Sequence, residues 1–219
     1  GEAENIRRDC DGKEAIVKSV KTERKTVNPP HLYDLTTLQR EANRLYGFTA
    51  QQTLDYTQSL YEMKLVTYPR TDSQYITDDM DGTARNIAES VAGKLPHFSG
   101  IVIAPETKRV INNKKVSDHH AIIPTEEVSS TDLSTVPEGE RKILYLIANR
   151  LLCATNEPYI YETVTAEISC SGYSFVAKGR NVISEGWKAI EKAFRDFQKC
   201  KDDTEEEEET LSLAEGQVI

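Results

Sequence analysis

From residue 13 to 27 the chain alternates, with Ala15, Val17 and Val20 set among Lys, Ser and Thr. A period of two belongs to a strand with one face in water. Pro29-Pro30 stops it, since proline has no N–H to donate and starts a new unit. The period then becomes helical. Leu35, Leu38, Ala42 and Leu45 share a face, Thr36-Thr37-Leu38-Gln39 reads as a capping box, and Gly47 ends the helix. Thr49-Ala50-Gln51-Gln52 is a second capping box, followed by Leu54, Thr57, Leu60 and Tyr61, with Lys64 near the end of that helix. Helix, glycine turn, helix and extended Val66-Thr67-Tyr68 is the order of a helix-turn-helix with a strand behind it.

Thr77 before Asp78 and Asp79 predicts a third helix to about Val91. Pro96, Gly100, Pro105 and Asn112-Asn113-Lys114-Lys115 predict a loop-rich passage over 95–117. Pro137-Glu138-Gly139-Glu140 opens a helix through Leu152, with Ile143, Leu144, Ile147, Ala148 and Leu151 on one side. After Pro158 the period returns to two: Val164, Ala166 and Ile168, then a Ser171-Gly172 turn, then Tyr173, Phe175 and Ala177. That is a hairpin. Leu211 and Leu213 before Gly216 predict a last strand and turn. The expected class is α+β, multi-domain: a helical, winged-helix-like segment (30–152) inserted between strand-rich arms (1–29 and 153–219).

Composition narrows the class. The 219 residues suffice for one large or two modest domains, and no apolar run approaches the ~20 residues that span a bilayer. Gly-Glu-Ala-Glu-Asn-Ile at the start is charged and polar, unlike a signal peptide. The four cysteines, Cys10, Cys153, Cys170 and Cys200, form no CxxC pair, which argues against a zinc site or disulfide framework and fits a reducing cytosol. A net charge of −9 taken alone argues against nucleic acid, but Asp202, Asp203 and Glu205–Glu209 supply most of the excess. That run reads as a solvated loop, or else as a DNA-charge mimic or a contact for a basic partner. Lys108, Arg109, Lys114 and Lys115 make a basic stretch before His119-His120.

The candidate chemistry lies in Tyr68-Pro69-Arg70-Thr71-Asp72-Ser73. A phenol next to a guanidinium suits attack on a phosphodiester, because the fixed cation stabilises charge that grows on the phosphate oxygens. If the backbone stays extended through Arg70, both side chains point to one side. The plainer reading is a buried tyrosine at a strand end beside a surface arginine. Thr71 and Ser73 are local hydrogen-bonders or phosphate contacts. Asp72 accepts from Arg70, caps the following turn or sits by a metal pocket. His119 and His120 have no third or fourth ligand at zinc spacing, so no metal site is assigned. His31 and His97 carry no signal of their own.

The run from Pro29 to Ser73, together with Asp118-His119-His120-Ala121-Ile122-Ile123-Pro124-Thr125, resembles the core of a type IA DNA topoisomerase of the topoisomerase III branch. Phe175-Val176-Ala177-Lys178-Gly179 and Glu185-Gly186-Trp187 resemble the strands that follow in that family. The resemblance implies an internal fragment without the acidic Toprim domain. In the whole enzyme that domain holds Mg2+; none is expected here. It also implies a helical domain set in a β-rich arch, with Tyr68 as nucleophile, Arg70 as charge stabiliser and His119 as the phosphate-orienting histidine. Thr71, Asp72, Ser73, His120, Lys114 and Lys115 are expected at the DNA. Expected partners are single-stranded DNA and the remaining domains of the parent enzyme, around a monomeric fragment that is cytoplasmic, nucleoid-associated and off the membrane. The competing reading is a non-enzymatic winged-helix-like DNA-binding module. Residues 49–63 carry no basic face for that role, and it gives no reason for the histidine motif to accompany the tyrosine motif.

Overall fold

The computed structural model describes residues 1–98, 103–198 and 210–219. These divide into two compact units, each described by itself: 1–27 with 159–185 and the last residues, and 28–158 with 186–201. The acidic stretch 202–209 and Cys200 lie outside the described residues.

The first unit is a three-stranded antiparallel sheet in the order β1 (Ala15–Val27), β2 (Tyr159–Cys170), β3 (Tyr173–Ser184). Val17 pairs with Ile168, Val20 with Ala166 and Ala166 with Ala177; a register shift between Val17 and Ser19 takes up the odd residue, so both valines meet alternate residues of β2. Ser171 and Gly172 link β2 to β3 at φ 49° and 84°, both left-handed, as a twisted two-residue hairpin needs. Helix α1 (Glu2–Cys10) precedes the sheet and has no buried residue. It is tied to the hairpin turn by Tyr173 Oη to Asp9 (3.0 Å) and Ser171 Oγ to the Asp9 carbonyl (2.8 Å). Leu211 and Leu213 form no strand; the end of the chain instead meets β1 through a bridge of Ile16 with Val218.

The second unit is helical. Helix α2 (Leu35–Tyr46) is capped by Asp34, whose carboxylate accepts from Thr37 N at 2.7 Å, so the cap lies two residues before the expected Thr36. Gly47 closes it at φ 70° and Thr49 opens α3 (Ala50–Glu62) in the expected capping box with Gln52. Asp78–Met80 is a single 3-10 turn leading into α4 (Asp81–Lys94). Short turns fill most of the described part of 95–117, and the four-residue helix α5 (Glu127–Ser130) follows. Helix α6 (Glu138–Ala154) is buried nearly all round, so it is the axis of the core rather than a one-sided helix. Helix α7 (Trp187–Gln198) stands where the strand-rich return was expected. Ile190 and Phe194 are buried in the same core as Ile143, Leu146 and Ile147. Trp187 N donates to the Glu157 carbonyl at 2.9 Å, which sets the start of α7 against the end of α6.

Candidate active site

The end of α3 aims the tyrosine motif. Leu65 N donates to Leu60 O (2.9 Å) and Lys64 N to Tyr61 O (2.9 Å), the two bonds of a Schellman stop. The left-handed residue is Lys64, at φ 63°, instead of the usual glycine. The chain reverses there and runs as an extended segment beside the segment that follows the histidine pair. Val66 bridges Pro124, Thr67 N donates to Ile123 O (3.0 Å) and Thr125 N donates to Leu65 O (3.0 Å). Thr67 adds a second link: its hydroxyl donates to Ala121 O and accepts from Ile123 N, each at 3.0 Å. Leu65, Val66, Ala121, Ile122 and Ile123 are all at most 1% exposed, so both segments are anchored in the core.

Tyr68 and His119, 51 positions apart, meet at the end of this pairing. Their ring centroids are 4.3 Å apart with planes inclined at 42°. Tyr61, from the last turn of α3, packs edge-on against Tyr68 at 5.5 Å. Tyr68 is half-buried and His119 exposed, so the phenol is backed by aromatic rings and remains open to solvent. The Thr71 hydroxyl donates to the His119 carbonyl at 3.0 Å and fixes the spacing of the two motifs from the other side. Leu35 N donates to Thr71 O at 3.1 Å, which ties the motif to the start of α2.

The motif does not stay extended through Arg70. Thr71 N donates to Pro69 O at 3.1 Å, a three-residue turn centred on Arg70. Arg70 is exposed and makes no ion pair with the described residues, so its guanidinium is available to an anion. Asp72 is exposed too and forms no hydrogen bond to Arg70. Ser73, expected at a phosphate, is 3% exposed, and its hydroxyl donates to Lys115 O at 2.8 Å and accepts from Tyr75 N at 3.2 Å. His120 is similarly engaged: its Nδ1 lies 2.8 Å from Ala121 O, which accepts, so Nδ1 carries the proton. Lys114 is exposed without a described contact; Lys115 reaches Tyr75. From the sequence, Thr67 has no role beyond the extended segment and Tyr61 none beyond its helix; Thr67 acts through partners 54 and 56 positions away, and Tyr61 through Tyr68 across the turn at Lys64.

With this geometry in hand, relatives decide the family. The sequence profile of the DNA topoisomerase family matches residues 1–219. A DNA topoisomerase 3 of Bacillus licheniformis is 42% identical over 214 residues, 95% of this chain and 29% of the relative. The Bacillus subtilis DNA topoisomerase 3 is 40% identical over 204 residues, 90% of this chain and 27% of the relative. The chain belongs to the DNA topoisomerase family. It is a type IA, topoisomerase III-like member spanning under a third of the length of these curated relatives. Its α+β fold aligns with the full-length topoisomerase I of Thermotoga maritima at a TM-score of 0.65, 24% identity, over 99% of this chain and 34% of that one. Among the described residues of this family member no three His, Cys, Asp or Glu side chains converge to hold a metal, and no helix is long and apolar enough to cross a membrane. These residues therefore do not fit a Mg2+ site of their own.

Proposed function

We propose that the chain carries the strand-cleaving centre of a type IA DNA topoisomerase, with single-stranded DNA as substrate. The observation that carries this reading is the Tyr68–His119 ring contact held by Thr71, with Arg70, two positions on in the chain, exposed and without an ion pair among the described residues. The Tyr68 oxygen attacks phosphorus, forming a bond to the 5′ phosphate while the bond to the neighbouring 3′ oxygen breaks. The phenolic proton leaves and the 3′ oxygen takes one up. The link conserves the energy of the phosphodiester, so reversal by the 3′ hydroxyl reseals the strand without ATP after another strand has passed. Arg70 stabilises the charge on the phosphate oxygens, bidentately where the geometry allows. His119 orients the phosphate against the phenol. Thr71 and Ser73 support the site through hydrogen bonds, with Asp72 and Lys114 at its margin. Remaining domains of a longer parent enzyme complete the centre, with Mg2+ held there. The sheet unit serves as part of the β-rich arch and the helical unit as the nucleophile-bearing domain. A plain DNA-binding module would have no use for a histidine packed against the tyrosine.

The test is a denaturing gel for a covalent adduct on a 3′-labelled single-stranded oligonucleotide, which retains its label because the adduct keeps the 3′ portion. The chain is assayed alone and with the Toprim domain of a topoisomerase III supplied in trans with Mg2+. A band that disappears in Tyr68→Phe is expected. A band that persists in that variant refutes the assignment of the nucleophile.

A further inference from the structure

A second cluster stands seven residues beyond Tyr68 on the same segment. Lys115 Nζ donates to Tyr75 Oη at 3.4 Å and lies 4.8 Å from the centre of the Tyr75 ring. On the other side, Tyr75 Oη is 3.5 Å from His31 Nε2, and the two rings are 5.1 Å apart. If the phenol accepts from the ammonium, its own proton points to His31 Nε2, and Nδ1–H becomes the histidine's remaining donor. Two ammonium hydrogens and that N–H have no partner among the described residues. The cluster is thus left with surplus donors and a cation, a combination that suits an anion.

No carboxylate among the described residues forms an ion pair with it. Lys115 forms no ion pair with the described residues. Asp34, three positions from His31, is occupied by Thr37 N and Oγ1, both at 2.7 Å, and by Gln74 Nε2 at 3.1 Å. The backbone beneath is held firmly. Ser73 Oγ donates to Lys115 O at 2.8 Å, Ala121 N donates to Tyr75 O at 2.9 Å, and Arg150 Nη1 donates to His31 O at 3.4 Å. The first two of these bonds start from Ser73 and Ala121, within the tyrosine and histidine motifs themselves. Seven residues reach at most about 25 Å, so a strand lying at Tyr68 can also touch this cluster.

We propose that Lys115, Tyr75 and His31 form a second phosphate-binding station for single-stranded DNA, gripping the backbone a few nucleotides from the phosphate at Tyr68. The station explains the buried Ser73: its hydroxyl positions Lys115 rather than touching DNA. Tyr75 is a positioning residue that sets the ammonium and the imidazole one phenol apart.

This rests on single-stranded DNA being the ligand. The experiment is a fluorescence-anisotropy titration of a labelled single-stranded oligonucleotide over a salt series, with every variant made in Tyr68→Phe so that no covalent link forms. Lys115→Gln is compared with Lys142→Gln, which removes a charge already paired with Glu138 at 2.7 Å. Lys115→Gln is expected to weaken binding about three- to tenfold and to lower the slope of log K against log salt by about 0.7, one phosphate contact on a single strand. Tyr75→Phe, which keeps the ring and loses the hydroxyl, is expected to weaken binding by a smaller factor than Lys115→Gln. Lys142→Gln is expected to change neither quantity. Equal behaviour of Lys115→Gln and Lys142→Gln overturns the station and leaves the nucleophile assignment standing. An adduct that persists in Tyr68→Phe does the reverse. A protein that binds no strand overturns the station, and the nucleophile assignment is then decided by the adduct gel with the Toprim domain in trans.

Discussion

Replacing Thr67 by Val tests whether the pairing of the two motifs rests on one hydroxyl. Valine has the shape of threonine, so packing is kept, but two hydrogen bonds of 3.0 Å disappear. Ala121 and Ile123 are both 0% exposed, so the Ile123 N–H is left buried and unpaired. An orphaned buried donor costs about 1–3 kcal/mol, and the lost bond to Ala121 O adds about 0.5–1.5 kcal/mol, giving a fall in stability of about 2–4 kcal/mol. With a urea m-value of ~2 kcal/mol/M, the unfolding midpoint drops by about 1–2 M. Thr67→Ser keeps the hydroxyl and loses only a methyl, so it is expected to recover most of the difference. The adduct assay, run where Thr67→Val is still folded, should show slower cleavage, because Tyr68 and His119 lose a shared anchor. A Thr67→Val midpoint within 0.25 M of the unaltered protein, or one equal to that of Thr67→Ser, refutes the reasoning.

Gly186 sits at φ 47°, and a Cβ there would lie 2.3 Å from the Pro158 carbonyl oxygen, a backbone atom that cannot swing away. Gly186→Ala is therefore expected to destabilise the helical unit by about 2–4 kcal/mol, read as a lower thermal midpoint. Lys64→Gly relieves a left-handed lysine at φ 63° and should stabilise by about 0.5–1 kcal/mol in the same measurement. Burial among aromatic rings pushes the His97 imidazole down to about 4 from its ordinary value, and neither ring nitrogen has a hydrogen-bond partner among the described residues. Between roughly pH 6.5 and 4 the unfolded chain takes up a proton there that the folded chain refuses, so stability is full above the window and falls as the pH falls through it. After discounting for partial solvent access, the loss is about 1–2 kcal/mol, and His97→Phe should flatten the urea midpoint over that range.

The elements that could be read from the sequence carry their own punctuation. Gly47 and the Thr49–Gln52 box announce the turn between α2 and α3, and Ser171-Gly172 announces the hairpin. Helix α1 could not be read in this way because it buries nothing and so has no apolar face to show. Helix α7 does have the face, with Trp187, Ile190 and Phe194 at helical spacing, but the likeness of Glu185-Gly186-Trp187 to family strands masked it. Leu211 and Leu213 are too short an alternation to form a strand without a partner. At the site, residue identities pointed to Tyr68, Arg70 and His119. The burial of Ser73 and the anchoring by Thr67 depend on contacts between segments some 40 to 55 positions apart, and local periodicity carries no record of those. The bend at Arg70 is a local three-residue turn that hydrophobic periodicity does not mark either.

The two motif segments are also closed at the far end. Ile76 bridges Ile111 and Asp78 N donates to Asn113 Oδ1 at 2.9 Å, so the stretch from 79 to 110 leaves and re-enters the site through a clamped neck. Doubling the length of a closed loop costs only about 0.6 kcal/mol. The stretch carries α4, whose Ala84, Ile87, Ala88 and Val91 are buried in the core, so added chain meets this small penalty only at an exposed position between elements, such as Ala104, while the neck keeps the ends where they are. For protein engineering, this makes that position a natural port: a reporter or tether spliced in there is expected to leave the tyrosine and the histidine in place.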